Sequence, residues 1–194
     1  MKKISKFIGL ACVTITLAFT SIDNKIIVID VSHGGHDSGI CVDQLKEKEI
    51  ALHIATKIKE LNKNENVEII LTRESDKFLT LNERIENINK LKPDVVISLH
   101  VNSNENKNKN GMEIFVSDKN NQKEKSKELA LNLFNSFDDH QVEVKNADYY
   151  LLKNVNYPIA IVELGYLTNG KDRQLLTSKI GQLQVVTSIL KAIK

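Results

Sequence analysis

The chain has 194 residues and a hydrophobic fraction of 41%, which suffices for one domain with a sizeable core and excludes a disordered polymer. Its 27 basic and 25 acidic side chains give a formal net charge of +2. This near balance gives no support to nucleic-acid binding, which requires a strongly basic surface.

The first twenty residues resemble a secretory signal peptide. Residues 1–6 are basic, and residues 7–19 form an apolar run too short to span a bilayer comfortably. We expect residues 1–20 to direct export to the periplasm or the exterior, as a cleaved signal or a retained anchor. Their removal leaves 24 basic and 25 acidic side chains, no predicted membrane span, and Cys41 without an intrachain disulfide partner.

The first element of the predicted domain is a strand over residues 26–31. Its β-branched, apolar residues are typical of a buried strand, and it leads into a glycine-rich turn that carries His33, His36 and Asp37. In open α/β sheets, ligands bind beyond the carboxyl ends of the strands. The turn is therefore the first candidate site segment.

A helix, a strand and a second helix follow. Apolar spacing predicts an amphipathic helix over residues 45–61, with Leu61 on its inner face, and a strand over residues 67–71. Thr80 and Glu83 match a capping box, which predicts a helix from residue 80 to about residue 91. Pro93 ends that helix.

The middle of the chain alternates in the same way. Strands are predicted over residues 95–99, which end in His100, and over residues 112–116; the polar residues 102–110 between them predict a loop. Residues 121–137 predict a helix with Phe134 on its inner face. Residues 138–153 predict one or two short strands around Val142 and Tyr150.

The last two predicted elements are a strand over residues 159–162, which ends in Glu163, and a helix over residues 178–193 whose inner face includes Ile180 and Leu183. Alternating strands and helices predict a single α/β domain over residues 25–194, with a mostly parallel twisted sheet of about six strands flanked by helices. His33, His100 and Glu163 then lie at one edge of that sheet.

These side chains suit a hydrolytic zinc site. Catalytic zinc takes three protein ligands and leaves one position open, and His33, Glu47 and His100 supply two imidazoles and a carboxylate. Glu163 is placed to move a proton. The residue types alone leave another interpretation open, in which the histidines are ordinary polar residues and Glu47 is an acid that favours a helix start.

Five ordered motifs carry a specific resemblance. They are Asp30-Val31-Ser32-His33-Gly34-Gly35-His36-Asp37-Ser38-Gly39, Glu47-Lys48-Glu49, Thr72-Arg73-Glu74-Ser75-Asp76 with Leu81-Asn82-Glu83-Arg84, Ser98-Leu99-His100-Val101-Asn102, and Glu163-Leu164-Gly165-Tyr166-Leu167-Thr168-Asn169. In these motifs the chain resembles the zinc-dependent N-acetylmuramoyl-L-alanine amidase family of bacterial cell-wall hydrolases.

The resemblance implies one zinc ion held by His33, Glu47 and His100, with Glu163 as catalytic acid and base. It implies hydrolysis of the amide between N-acetylmuramic acid and L-alanine, with peptidoglycan as the partner, and leaves a protein activator open. For Arg73, Arg84 and Asn102, the matching motif positions imply supporting roles or substrate contacts. These three residues and the four named above make up the predicted site.

The chain departs from the family pattern in the first motif, where Val31, Ser32 and Ser38 replace Pro, Gly and Pro. A less rigid turn is expected. The spacing from this motif to Glu47 is about one residue short, which leaves Glu49 as an alternative ligand.

Two other functions remain compatible with the sequence. One is a non-catalytic peptidoglycan-binding or regulatory protein on the same fold, against which the retention of all four site residues argues. The other is a zinc hydrolase that cleaves a different amide or peptide.

Overall fold

The computed structural model describes residues 24–137 and 140–194, so the predicted signal over residues 1–20 lies outside the described residues. The described strands are β1 (Lys25–Val31), β2 (Cys41–Val42), β3 (Leu45–Lys46), β4 (Val67–Leu71), β5 (Val95–Asn102), β6 (Met112–Val116), β7 (Val142–Asn146) and β8 (Ile159–Tyr166). The described helices are α1 (Glu47–Leu61), α2 (Leu81–Leu91), α3 (Lys123–Ser136), α4 (Tyr150–Asn154), α5 (Gly170–Thr177) and α6 (Lys179–Ala192).

Six strands form one sheet in the order β4-β1-β5-β8-β6-β7, and β2 and β3 form a separate hairpin. All pairs in the large sheet are parallel except β6 with β8. The predicted α/β domain with a mostly parallel sheet of six strands is confirmed. Since β1, β5 and β8 are adjacent and parallel, their carboxyl ends meet at one edge.

Helices cover both faces of the sheet. Buried apolar residues of α1, α3 and α6 pack in one cluster with the inward side chains of β1, β5 and β8. On the other face, Ile88 of α2 and Leu151 and Leu152 of α4 pack on a smaller cluster that includes Val96 and Ile161. The second face has fewer helices, and the resulting opening between α2 and α4 exposes the polar ends of the strands.

The predicted start of α2 is confirmed in its hydrogen bonds. The Thr80 hydroxyl accepts from the backbone N–H of Glu83 at 3.2 Å, and the Glu83 carboxylate accepts from the backbone N–H of Thr80 at 2.8 Å. These two bonds satisfy groups that a helix start would otherwise leave unpaired. They also fix where α2 begins, and α2 forms one side of the opening between α2 and α4.

The strand predicted around Tyr150 is wrong, because Tyr150–Asn154 forms the short helix α4. Leu151 and Leu152 are both buried, whereas successive strand residues point to opposite faces of a sheet. The side-chain amide of Asn120 donates to the carbonyl oxygens of Leu152 and Val155, which satisfies acceptors at the end of this helix. The strand predicted near Val142 is present as β7, while α5 and the β2–β3 hairpin were not predicted.

Several predicted inner-face residues are exposed. They are Leu61 at 40%, Phe134 at 43%, Ile180 at 75% and Leu183 at 50%. In α6 apolar residues occur on most sides, so periodicity does not determine which side is buried. The close packing of α6 on α5 determines which side of α6 is buried. At Gly181 the two helices are so near that an added Cβ would lie 2.3 Å from the carbonyl oxygen of Leu175. This approach to α5 turns Ile180 and Leu183 outward.

Within residues 24–137 and 140–194, no helix has the length and apolar character needed to span a membrane. Cys41 is free and exposed.

Candidate metal centre and active-site cleft

Three side chains from different elements converge at the carboxyl edge of the sheet. His33 follows β1, Glu47 begins α1, and His100 lies in β5. His33 Nε2 and His100 Nδ1 each lie 3.0 Å from Oε1 of Glu47. One ligand atom from each residue lies within 4.8 Å of the other two, so the three could share a metal ion.

Glu47 is the buried member of this cluster, with 2% of its surface exposed. Its Oε2 accepts from the backbone N–H of Ile40 at 2.9 Å, and its Oε1 accepts from the backbone N–H of Val101 at 3.0 Å. Burial acts to raise the pKa of Glu47, but the hydrogen bonds and charges of His100 and His33 lower it well below its ordinary value. Glu47 is therefore an anion in the fold, as a metal ligand must be.

Glu49 is not part of the cluster. It lies on the exposed side of α1, where its carboxylate is 3.5 Å from Lys46 Nζ. The structure thus brings Glu47 to the two histidines and leaves the alternative residue at the surface.

Asp37 holds the ring of His33 in place. Its Oδ2 lies 2.8 Å from His33 Nδ1, and its Oδ1 accepts from the backbone N–H of Gly39 at 3.0 Å. Burial alone would lower the pKa of His33, but Glu47 and Asp37 together raise it. With Nδ1 directed at Asp37, Nε2 faces the cluster, an arrangement common behind metal-binding histidines. The sequence analysis quoted Asp37 within a motif but did not predict this role.

Beneath the turn, the buried carboxylate of Asp30 forms an ionic network. It accepts from Arg84 Nη1 at 3.0 Å, from Ser98 Oγ at 2.7 Å and from Thr72 Oγ1 at 3.0 Å. Burial raises the pKa of Asp30, yet Arg84 and Ser98 outweigh this effect and lower it. The network joins β1, β5 and α2 directly below His33.

The two predicted supporting arginines, Arg73 and Arg84, are both buried at 4% exposure and donate to backbone carbonyls of the first motif. Arg73 Nη2 donates to the carbonyl oxygens of Ser32 at 2.7 Å and Lys48 at 2.8 Å. Arg84 donates to the carbonyl oxygen of Val31 and, at 2.5 Å, to the carbonyl oxygen of His33. These contacts fix the turn that carries His33.

Asn102, the third predicted supporting residue, ends β5 beside a second acidic cluster. Its side-chain amide donates to Glu113 Oε2 at 3.3 Å. The other oxygen of Glu113 accepts from Tyr166 Oη at 2.8 Å and from Lys145 Nζ at 2.6 Å. Glu113 is paired with Glu163 across β6 and β8, so Asn102 helps to hold a charge next to the predicted catalytic residue.

Glu163 has the environment expected of a proton-transfer group. It is paired with His100 across β5 and β8, and its Oε2 is buried without a hydrogen-bond partner among the described residues. Burial, aided by the charges of Glu47 and Glu113, raises the pKa of Glu163 to about 7. A carboxyl group that titrates near neutrality can both accept and return a proton.

The cluster opens into a cleft of about 520 Å³ between α2 and α4. The residues that line it are Asp30, Ser32, His33, Asp37, Phe78, Leu79, Leu81, Arg84, His100, Tyr149, Tyr150, Leu151, Ile161 and Glu163. The predicted catalytic and histidine residues thus share one cavity. Phe78, Tyr149 and Tyr150 were not predicted to line it, because they lie in segments that carry no ligand motif.

The donor set fits zinc. Two imidazole nitrogens and one carboxylate are a ligand set of catalytic zinc sites, and the fourth position would face the cleft. The buried Oε2 of Glu163 is further evidence for a bound group, because it has no hydrogen-bond partner among the residues that the structure describes.

This edge of the parallel sheet could hold a metal ion beside a second carboxylate, an arrangement that suits an α/β hydrolase. The chain belongs to the N-acetylmuramoyl-L-alanine amidase family, whose sequence profile matches residues 27–194. Family membership confirms the resemblance drawn from the five motifs.

Relatives and solved structures agree with this assignment. The chain is 30% identical over 174 residues to the uncharacterized protein YqiI of Bacillus subtilis, with 89% of this chain and 84% of that protein covered. It is 29% identical over 188 residues to the germination-specific N-acetylmuramoyl-L-alanine amidase of B. subtilis, with 89% and 79% covered. It also resembles the catalytic domain of the amidase CwlV from Bacillus (Paenibacillus) polymyxa var. colistinus, with a TM-score of 0.79, 30% identity, and 87% and 96% covered.

Gly39 gives a test of the metal centre. Its φ is +61°, and an added Cβ would lie 2.5 Å from Glu47 Oε2 and 2.6 Å from His33 Cδ2. The substitution Gly39→Ala should displace both side chains and weaken zinc binding by at least about tenfold, as measured by competitive zinc titration. Gly170→Ala is the control, since nothing lies within 4 Å of the added atom. Equal zinc affinity in the Gly39 variant and wild type would contradict the assigned ligand set.

The raised pKa of Glu163 gives a second test, in the zinc-free protein. Because the folded state binds this proton more tightly than the unfolded state, Glu163 lowers stability as the pH rises from about 4.5 to about 7. Zinc-free Glu163→Gln should therefore be more stable than zinc-free wild type by about 3 kcal/mol near pH 8, with a difference of only about 1 kcal/mol near pH 5. Urea unfolding at both pH values measures this.

The exposed Glu49→Gln substitution is the control for that experiment, and its effect should not vary between the two pH values. If the stability difference for Glu163→Gln were the same at both pH values, the pKa of the Glu163 carboxyl would not be raised in the folded protein.

Proposed function

We propose that this chain is a zinc-dependent amidase that hydrolyses the bond between N-acetylmuramic acid and L-alanine in peptidoglycan. The observation that carries the proposal is the convergence of His33 Nε2, His100 Nδ1 and Glu47 at one edge of the sheet. Beside them lies a carboxylate oxygen of Glu163 to which no other described residue hydrogen-bonds. Membership in the amidase family and the names of the matched relatives support the substrate.

In this proposal His33, Glu47 and His100 hold one zinc ion per chain. When bound, zinc supplies a Lewis acid that polarises the scissile carbonyl and lowers the pKa of water. Asp37 keeps Nε2 of His33 directed at the ion through its contact with Nδ1. Arg73 and Arg84 hold the backbone of the turn that carries His33 through hydrogen bonds to its carbonyl oxygens.

Glu163 carries the proton in this mechanism. Its Oε2 takes a proton from the attacking water and delivers it to the nitrogen of the leaving L-alanine, which leaves as a free amine. The buried setting suits the return of the proton, because burial acts to raise the pKa of the Glu163 carboxyl above its ordinary value.

Export and a protein partner complete the proposal. The basic and apolar residues 1–20 support export to the periplasm or exterior, where peptidoglycan lies. A protein activator is supported by the solved structure of the CwlD amidase from Clostridioides difficile in complex with the GerS lipoprotein. That amidase has 30% sequence identity to this chain and a TM-score of 0.77, with 88% of this chain and 96% of that chain covered.

The substitution Glu163→Gln tests the proposed mechanism. It keeps the size of the side chain but removes the proton acceptor, so release of stem peptides from purified peptidoglycan should fall at least about 100-fold. Mass spectrometry should identify free L-alanine amines on the peptides released by wild type. Zinc content should stay at one ion per chain, since Glu163 is outside the proposed ligand set.

Glu49→Gln is the matched control, an exposed glutamate on α1, and it should release peptides at the wild-type rate. The proposal fails if Glu163→Gln is as active as wild type, or if wild type releases no peptide with a free L-alanine amine.

A further inference from the structure

The strand β7 forms one edge of the large sheet. It pairs with β6 on its inner side, and no other strand within residues 24–137 and 140–194 pairs with its outer side. The unpaired N–H and C=O groups of an edge strand are a template for a further strand. Val144, at the centre of β7, is 40% exposed, so this outer side is open to a partner.

The hydrogen bonds between β7 and β6 show which backbone groups point outward. The backbone N–H of Met112 donates to the carbonyl oxygen of Gln141 at 2.7 Å, and that of Ala147 donates to the carbonyl oxygen of Val116 at 2.9 Å. Because alternate residues of a strand bond to the same neighbour, the odd-numbered residues of β7 direct their backbone groups toward β6. The residues that direct theirs to the outer side are Val142, Val144 and Asn146.

The charges of β7 make its edge complementary to itself. Glu143 and Lys145 flank Val144 and project from the same face of the sheet, with 56% and 37% of their side chains exposed. In an antiparallel pair of two β7 strands centred on Val144, each Glu143 lies opposite Lys145 of the second copy. A parallel pair, or the next hydrogen-bonded register of the antiparallel pair, would place like charges opposite each other.

The contacts within one chain are compatible with this arrangement. Lys145 Nζ lies 2.8 Å from Glu143 and 2.6 Å from Glu113 of the same chain. Around the centre of the antiparallel pair, the two glutamates and two lysines would alternate in sign, so each charge has an opposite charge beside it both along and across the strands. Like charges at these two positions would instead protect the edge from pairing.

The other face of β7 supplies apolar surface. Val144 projects to the same face as Val142, which packs against the buried cluster that includes residues of α3. Phe134, which apolar spacing assigns to the inner face, and Leu131 are both exposed on α3, the helix that packs on β7. A second copy paired with β7 would cover Val144 and bring the α3 helices of the two copies to the same face of the joined sheet.

We propose that β7 is the interface of a symmetric homodimer, in which two copies of this chain join edge to edge as antiparallel strands centred on Val144. The same strand serves both copies, as a two-fold axis requires. The two Val144 residues exchange two backbone hydrogen bonds, and Val142 of each copy pairs with Asn146 of the other. The two sheets become one continuous sheet, with the two candidate metal centres at opposite edges of it.

Analytical ultracentrifugation tests this proposal. Wild type should sediment as a dimer with a dissociation constant on the order of micromolar. Glu143→Lys should raise that constant at least about tenfold, because it creates two pairs of like charges across the interface. Val144→Pro should also raise it at least about tenfold, since proline removes the outward N–H at the centre while the neighbouring residues keep their bonds to β6.

Glu68→Lys is the matched control, because Glu68 is an exposed glutamate in β4, the edge strand at the other end of the sheet. Its dissociation constant should equal that of wild type. The proposal is wrong if wild type remains a monomer at about 100 μM, or if Glu143→Lys and Val144→Pro dimerise as tightly as wild type.

Amide hydrogen exchange, followed by NMR, identifies the surface that the dimer uses. The backbone N–H groups of Val142, Val144 and Asn146 should exchange at least about tenfold more slowly in the wild-type dimer than in monomeric Glu143→Lys. Those of residues 143 and 145 should be protected in both proteins, because they bond to β6 within one chain. A wild-type dimer that leaves Val144 unprotected would have its interface elsewhere, and the proposal would fail.

Discussion

The site depends on one buried carboxylate. Burying a charge is costly unless partners compensate, and Glu47 meets that condition with two backbone N–H groups and two imidazoles. These four partners come from three parts of the chain: the turn that carries His33, the loop at Ile40 before β2, and the strand β5, which supplies both His100 and Val101. The position of Glu47 at the start of α1 therefore fixes three segments at once, and the candidate metal centre is the point where they meet.

A second ionic layer gives this arrangement its rigidity. The first motif lacks the two prolines of the family pattern, and the sequence analysis expected a less rigid turn. In the fold, Arg73 and Arg84 donate to the carbonyl oxygens of the turn, and Asp30 neutralises Arg84. Because a guanidinium group presents five donors in a fixed plane, it can hold several carbonyls in register. Hydrogen bonds thus supply a constraint where the prolines are absent.

The sequence predicts the sheet from the strong local signal of its β-branched strands, and it points to the four site residues through the motifs shared with the amidase family. The β-branched strands and the motif residues at their carboxyl ends place His33, His100 and Glu163 at one edge without knowledge of the packing. Asp37 and the aromatic cleft residues escape prediction, since their roles depend on which segments meet in space. Likewise, the exposure of Ile180 and Leu183 follows from the approach of α6 to α5 at Gly181, which apolar periodicity does not encode. The short helix α4 is held by Asn120, which donates to Leu152, 32 residues away in sequence.

The central claim is that two imidazoles and Glu47 share one divalent ion beside Glu163. Crystals of the zinc-loaded protein, measured on both sides of the zinc absorption edge, test it most directly. The account predicts a single anomalous peak bounded by Nε2 of His33, Nδ1 of His100 and the Glu47 carboxylate, with its open side toward Glu163. A peak held by other residues, or no zinc peak in this cleft, would contradict it.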